Sequence, residues 1–341
     1  MSRTWKTLIA LLAALTLVAA ACGDDGGDDD ADGATTTTGA DDADEEADEP
    51  MDTVTLTVGI LPIADMAPLY LGMDLGFFEE EGLVIEPEFA QGGAAIVPAV
   101  LNDEFQIGFS NNVSLMLARQ NDVPIQVVAN AVYAADEDLG ADAPNAIMVT
   151  PDGPQSLEEL ADATIAVTTL NNLGEVTVRA TLENNDIDSS GVEFVEIPFP
   201  DMTAALESGQ VDAAWLAEPF ITIGEGMGFT SLADPMYETY PGQSIALFFA
   251  SEAWLADNAD VAERFQRAIE RSLEAAADDP DAAREIIKTY SPSPPEAIDA
   301  IALAAWGPEI DTDSLVEVGA LATQFGVLEE EPDIDALIWA P

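Results

Sequence analysis

With no histidine and a single cysteine, Cys22, the 341-residue chain has little beyond carboxylates, amides and hydroxyls to do chemistry with. Ser-His-Asp triads, Cys-His dyads, histidine zinc sites and disulfides are excluded. Acid is abundant: 66 Asp and Glu stand against 9 Lys and Arg, a formal net charge of −57 at pH 7. Such a surface repels phosphate backbones, so no nucleic-acid partner is expected. Paired carboxylates could still support hydrolysis, as in a glycosidase, yet the acids are spread along the chain and no pair is singled out. No cofactor or metal is expected. Asp28-Asp29-Asp30-Ala31-Asp32-Gly33 begins like a calcium loop, but Gly39 stands where its closing Glu would be.

The remaining candidates are short polar loops. Asp65-Met66, Gln91-Gly92-Gly93, Ser110-Asn111-Asn112, the stretch from Thr168-Thr169 to Glu175, and Trp215 to Glu218-Pro219 each follow a segment that reads as a strand. In open α/β sheets, ligands bind beyond the carboxyl ends of strands, where loops and helix starts expose backbone N–H groups. Each loop also has a plainer reading: Gly92-Gly93 as turn glycines, Ser110 and Thr168 as helix caps, Trp215 as core, and Glu218 as a solvated acid or a cap.

The elements that must position these loops alternate. Val54, Leu56, Val58 and Ile60 alternate with polar residues as a strand; 68–81 reads as one helix closed by Gly82, and 84–89 as a second strand. Strands at 105–109 and 125–132 follow, separated by helices to Asp103 and over 113–121. The alternation restarts with strands at 147–149, 164–168, 192–197 and 211–216 and helices near 174–184 and 202–208; Ser156 and Glu159 are placed for a capping box. This is the βαβ pattern of two mainly parallel sheets flanked by helices. From Ala253 on, the chain reads as mostly helical, and Arg264, Arg267, Arg271, Arg284 and Lys288 carry five of the seven cations found after residue 52.

A weak internal repeat links the halves. Residues 99–109 align with 205–215 at a constant offset of 106, each copy ending a helix in a tight turn before a strand. Gly209 suits a left-handed turn residue, and Asp103 is one of the few others that tolerates it.

At the N-terminus, Arg3 and Lys6 precede an apolar run from Leu8 to Ala21 that is shorter than the ~20 residues of a membrane span and ends at Cys22. The run resembles a bacterial lipoprotein signal: residues 1–21 would be removed and Cys22 acylated, anchoring the protein outside the cytoplasmic membrane. Residues 23–52 carry 14 acids and no cation, which predicts an extended tether.

Gly59-Ile60-Leu61-Pro62 with Asp65-Met66-Ala67-Pro68-Leu69-Tyr70, then Gly76-Phe77-Phe78-Glu79-Glu80-Glu81-Gly82-Leu83, resembles the opening of the nitrate, sulfonate, taurine and thiamine-precursor type of ABC-transporter solute-binding proteins. The Gly92-Gly93 loop, Ser156-Leu157-Glu158-Glu159-Leu160, and Ala205-Leu206 through Gly209 to Glu218-Pro219 continue it over about 54–290. Gln106, where that family often has Asp, and Asp103, where it often has Gly, depart from it. The resemblance implies a two-lobed, periplasmic-binding-protein-like fold that closes on a small molecule and delivers it to a permease without catalysis. The lobes are expected at 53–145 plus 243–341 and at 146–242, in a monomer. The binding residues would be Asp65, Met66, Gln91, Gly92, Gly93, Ser110, Asn111, Thr168, Thr169, Glu175, Trp215 and Glu218. Before residue 253 the only cations after the tether are Arg119 and Arg179, so the ligand is expected to be a pyrimidine or other heteroaromatic amine, with a small anion held by helix starts as the alternative.

Overall fold

The computed structural model describes residues 52–137, 143–291 and 293–341. Cys22, the apolar leader, most of the acidic tether and the Asp28–Gly33 segment lie outside them. Among the described residues ten strands form: β1 (Val54–Ile60), β2 (Leu83–Phe89), β3 (Ile107–Asn111), β4 (Ile125–Tyr133), β5 (Asn145–Val149), β6 (Thr164–Val167), β7 (Glu193–Glu196), β8 (Ala213–Ala217), β9 (Thr230–Ala233) and β10 (Ser244–Ser251). They make two five-stranded sheets, ordered β2-β1-β3-β10-β4 and β7-β6-β8-β5-β9.

Both sheets are mixed in the same way. β1 pairs in parallel with β2 and β3, and β10 runs antiparallel to β3 and β4; likewise β6 pairs in parallel with β7 and β8, and β5 runs antiparallel to β8 and β9. Four strands of each sheet therefore share one direction, and the fourth in spatial order is reversed. That strand is the one reached by crossing from the other lobe, β5 on entry and β10 on return. The crossings are bonded to each other: Ala134 N–H donates to the Gln243 carbonyl at 2.9 Å and Gly242 N–H to the Ala135 carbonyl at 3.1 Å.

The repeat seen in the sequence is exact in the backbone. Helices Gly93–Leu101 and Phe199–Glu207, and strands β3 and β8, sit 106 residues apart at both ends. Asp103 and Gly209 hold the same left-handed turn, at φ 59° and 67°. Gln106 and Asp212 then do the same work: the Gln106 side chain accepts from Thr57 N–H at 2.9 Å, and Asp212 from Thr164 N–H at 2.8 Å. Each thereby ties the entering strand to the central strand of its sheet, so the Gln in place of Asp keeps the contact.

Several local expectations shift. The predicted helix 68–81 is two, Ala67–Asp74 and Phe77–Glu80, broken at Gly76 with φ 79°. The predicted strands at 105–109 and 211–216 begin two residues later, because Asp103–Gln106 and Gly209–Asp212 are spent on the turns. Ser156 caps no helix through its side chain; a 3-10 turn forms over Leu157–Leu160, and Glu159 reaches back to Gln155 N–H at 2.9 Å.

The C-terminal helices pack mainly on the first lobe. Phe265, Ile269 and Leu273 of the helix Ala259–Asp278 are fully buried, at the helical spacing of the apolar stripe. The last long helix, Thr312–Gln324, differs: it touches Asn112–Gln120 of the first lobe and Leu173–Asn184 of the second. No described helix is long and apolar enough to cross a membrane.

Candidate ligand-binding site

The carboxyl ends of both sets of parallel strands face one cavity. Across it, Ala64 N–H donates to the Glu218 carbonyl at 2.8 Å and Leu173 N–H to Asn111 Oδ1 at 3.3 Å. The Gly92 turn also abuts the second lobe, since a Cβ added there would lie 3.0 Å from Thr169 Cγ2. The cavity, its mouth and the solvent there included, holds about 440 Å³ of empty space.

Its walls reproduce the repeat. Gly93 and Phe199 open corresponding helices, Phe109 and Trp215 lie on corresponding strands, and Asn111 and Ala217 end those strands; all six line the cavity. Ala246, paired with Asn111, and Asn145, paired with Ala217, complete the correspondence on the reversed strands. Each lobe thus presents the same positions with different side chains, and the second supplies the larger aromatic face. Phe199 sits between Trp215, at a centroid distance of 5.5 Å, and Phe220, stacked behind it at 6.0 Å and 11°.

Two close approaches set the shape. A Cβ on Gly93 would fall 2.3 Å from Ser110 Oγ, and one on Gly174 2.7 Å from the Trp215 ring. A side chain at either position would displace the polar or aromatic wall, so glycine is required by space here.

Of the residues expected from the sequence, Asp65, Gly93, Asn111, Thr168 and Trp215 line the cavity. Gly92, Ser110 and Thr169 do not line it but adjoin lining residues in the chain, with Ser110 against Gly93 and Gly92 against Thr169. Met66 is fully buried in the core and Gln91 is exposed. Glu175 faces its own helix, in an ion pair with Arg179 at 3.2 Å, and accepts from Asn171 N–H at 3.0 Å. Glu218 caps the helix after it, accepting from Thr222 N–H at 3.1 Å and Thr222 Oγ1 at 2.8 Å, with Ala302 N–H at 3.4 Å. Ser110 and Thr168 do not cap; Asn111 and Asn172 do, accepting from Ser114 and Glu175 N–H. The lining residues Phe109, Asn145, Phe199 and Met236 were not among the sequence candidates; extending the 106-residue repeat by six residues toward the N-terminus pairs Gly93 with Phe199 and would have found the last aromatic.

The electrostatics are one-sided. Among the described residues Asp65 is the one charged side chain in the lining, and no Arg or Lys joins it. Burial pushes its carboxyl up to about 7, partly offset by its own backbone N–H. Burial likewise raises Glu218 to about 7, against the Thr222 and Ala302 bonds that favour its charged form. Three polar atoms at or just behind the wall are buried with no protein partner: Ser110 Oγ, Thr169 Oγ1 and Trp215 Nε1. Buried polar groups normally find a partner, and each left without one costs roughly 1–3 kcal/mol.

Two lobes of mixed sheet, joined by paired crossings and closed over a cavity at their strand ends, define a periplasmic-binding-protein fold. The fold is shared with a ligand-binding component of an ABC-type import system from Staphylococcus aureus, at a TM-score of 0.73 and 17% identity over 84% of this chain and 96% of that one. It is shared too with the alkanesulfonate-binding protein SsuA from Xanthomonas axonopodis pv. citri, at a TM-score of 0.70 and 13% identity over 85% and 99%. The chain belongs to the NMT1/THI5-like family, which matches residues 63–283. A formylaminopyrimidine-binding protein from Halalkalibacterium halodurans is 22% identical over 253 residues, 71% of this chain and 72% of that protein.

Proposed function

We propose that the protein is the extracytoplasmic solute-binding component of an ABC importer, capturing a small molecule by lobe closure and presenting it to a permease. The observation that carries this is the set of unpartnered polar atoms gathered from both lobes, Ser110 Oγ and Trp215 Nε1 among them, around an aromatic-walled cavity at the strand ends. A ligand supplies the missing partners, and closure then stabilises rather than strands them. The family membership and the import-system relatives point the same way. A carboxylate-pair hydrolase finds less support, because acid/base hydrolysis of a glycoside needs two carboxyl groups facing one bond and the lining holds Asp65 alone. The reading is of a binder without turnover.

Native mass spectrometry of the purified protein tests this directly: a co-purified small molecule is expected. Small-angle scattering should show a smaller radius of gyration once that molecule is restored to stripped protein; product formation, or an unchanged radius at saturation, would overturn it. The site residues of this reading are Asp65, Gly93, Asn111, Thr168 and Trp215 at the wall, supported by Gly92, Ser110 and Thr169.

The same reading places the protein on the outer face of the membrane through an acylated Cys22, supported by the leader and the acidic tether that follows it. Replacing Cys22→Ser should move the protein from the membrane fraction to the soluble one; unchanged retention would remove the anchor.

A further inference from the structure

The wall around Asp65 is chemically unbalanced in a way that specifies the ligand's charge. Asp65 follows β1 at the start of the 3-10 turn Ala64–Met66, and only 9% of it is exposed. Among the described residues its carboxyl meets one hydrogen-bond donor, its own backbone N–H. The hydroxyl that could have satisfied it, Tyr290 on the helix Pro280–Tyr290, is turned away: it donates to the Ile63 carbonyl at 3.1 Å and the Ala64 carbonyl at 3.3 Å. Tyr70, stacked on Tyr290 at 4.1 Å, holds that ring in place. From the second lobe, the Glu218 carbonyl is occupied by Ala64 N–H, and the Glu218 carboxylate by Thr222 and Ala302. The Tyr290 hydroxyl and the Glu218 carbonyl and carboxylate are therefore committed elsewhere, and among the described residues no Arg or Lys enters the lining.

The chain has cations it could have used. Arg179 is spent on Glu175 and Arg119 on Glu252. Neither enters the lining, and the cavity faces Asp65 with Phe109, Phe199 and Trp215 instead. The faces of an aromatic wall attract a cation through the ring quadrupole. A carboxylate with free lone pairs accepts from a charged N–H at roughly twice the strength of a neutral pair.

Resting on the solute-binding reading, we propose that Asp65 is the specificity-determining counter-ion of the site, and that the solute carries a cationic nitrogen, an ammonium or amidinium, bound against this carboxylate and the aromatic wall. The hydroxyls of Ser110 and Thr169 and the indole N–H of Trp215 remain for an oxygen acceptor elsewhere on the same molecule. The site thus differs in charge preference from one built for a sulfonate.

The burial that raises the Asp65 carboxyl makes the pairing pH-dependent. A cationic ligand needs the ionised form, so its binding releases a proton below about pH 7 and strengthens as pH rises through that value. Tyr70 and Tyr290, whose hydroxyls burial raises further above their ordinary range, stay neutral throughout and do not reverse the sign.

The test uses three probes of one shape: 4-carbamoylbenzamidinium, the neutral terephthalamide and the anionic 4-carbamoylbenzoate. They are titrated calorimetrically into the ligand-stripped protein and into Asp65→Asn. The amidinium is expected to bind at least tenfold tighter than the other two at pH 8, to weaken by tenfold or more at pH 5.5, and to lose its advantage in Asp65→Asn. Circular dichroism and melting of Asp65→Asn confirm that the variant is folded. Tighter binding of the amide or the carboxylate overturns the charge assignment while leaving a solute-binding site in place. Amidinium binding that is equal in Asp65→Asn, or absent while the other probes bind, also overturns it. Failure of all three probes, with no change in the scattering radius, counts against the cation and the cleft together.

Discussion

At the scale of single residues, the site separates groups held for folding from groups held in reserve. Glu218 belongs to the first kind: it ties Ala64 of one lobe, Thr222 of the other and Ala302 of the C-terminal segment through its carbonyl and carboxylate. Its folded-state value of about 7 lies above the ordinary 4.5. A raised acid favours the native state while protonated, so this contribution is present below about pH 4.5 and is lost as pH rises to about 7. The loss amounts to about 3 kcal/mol at ~1.4 kcal/mol per unit. Glu218→Gln should remove that slope: urea unfolding midpoints of wild type and variant should move closer, or cross in the variant's favour, between pH 4.5 and pH 8. Which residues face the cavity was only half legible in the sequence. Strand ends marked the loops correctly, and Asp65, Gly93, Asn111, Thr168 and Trp215 reach the wall. Spacing alone does not say which side of a loop turns inward, and so Met66 points to the core, Gln91 to solvent, and Glu175 to Arg179 four residues along its own helix.

At the scale of elements, the turn after each repeat helix decides where the following strand begins, and hence where Phe109 and Trp215 arrive. Both turns need a left-handed residue. An alanine there costs roughly 1–2 kcal/mol, so Gly209→Ala and Asp103→Ala should each lower stability by about 1 kcal/mol, whereas Asp103→Gly should not. Melting curves of the three variants check this. The reversed sense of β5 and β10 was invisible to pattern reading, because a buried strand looks the same in either direction and only the return path of the chain fixes its sense. The break at Gly76 was missed for a related reason: the apolar positions on either side continue the helical period, and one φ of 79° interrupts it.

At the scale of the whole molecule, charge dominates. After residue 52 the chain carries 52 acids and 7 cations. Six of those cations are already in ion pairs, with Glu252, Glu175, Glu81, Glu80, Asp281, and Glu285 with Asp299. The seventh, Arg264, is buried against the first strand's approach, donating to the Asp52 carbonyl at 3.4 Å. Most acids therefore repel one another without local compensation. Shortening the Debye length from ~10 Å at 0.1 M to ~3 Å at 1 M salt should relieve that repulsion. The melting temperature is expected to rise with NaCl over this range; a flat or falling curve would mean that the acids are stabilised individually. The net charge was fully readable in the sequence. Its uneven pairing was not, because Arg267 and Arg271 on the C-terminal helices find their partners, Glu81 and Glu80, about 190 residues away.

The paired crossings at Ala134–Gln243 and Ala135–Gly242 bear on how weak the contacts across the cleft can afford to be. Two free bodies meeting around a solute would each surrender translational and rotational freedom, a loss of roughly 4–15 kcal/mol. Here two crossings bonded to each other keep the halves attached, so their encounter is intramolecular and their local concentration is set by geometry, not by abundance. Direct hydrogen bonds between the halves, among them Ala64 to Glu218, Leu173 to Asn111 and Ala302 to Glu218, then define the shut state, and most of the remaining selectivity is left to the molecule caught between them.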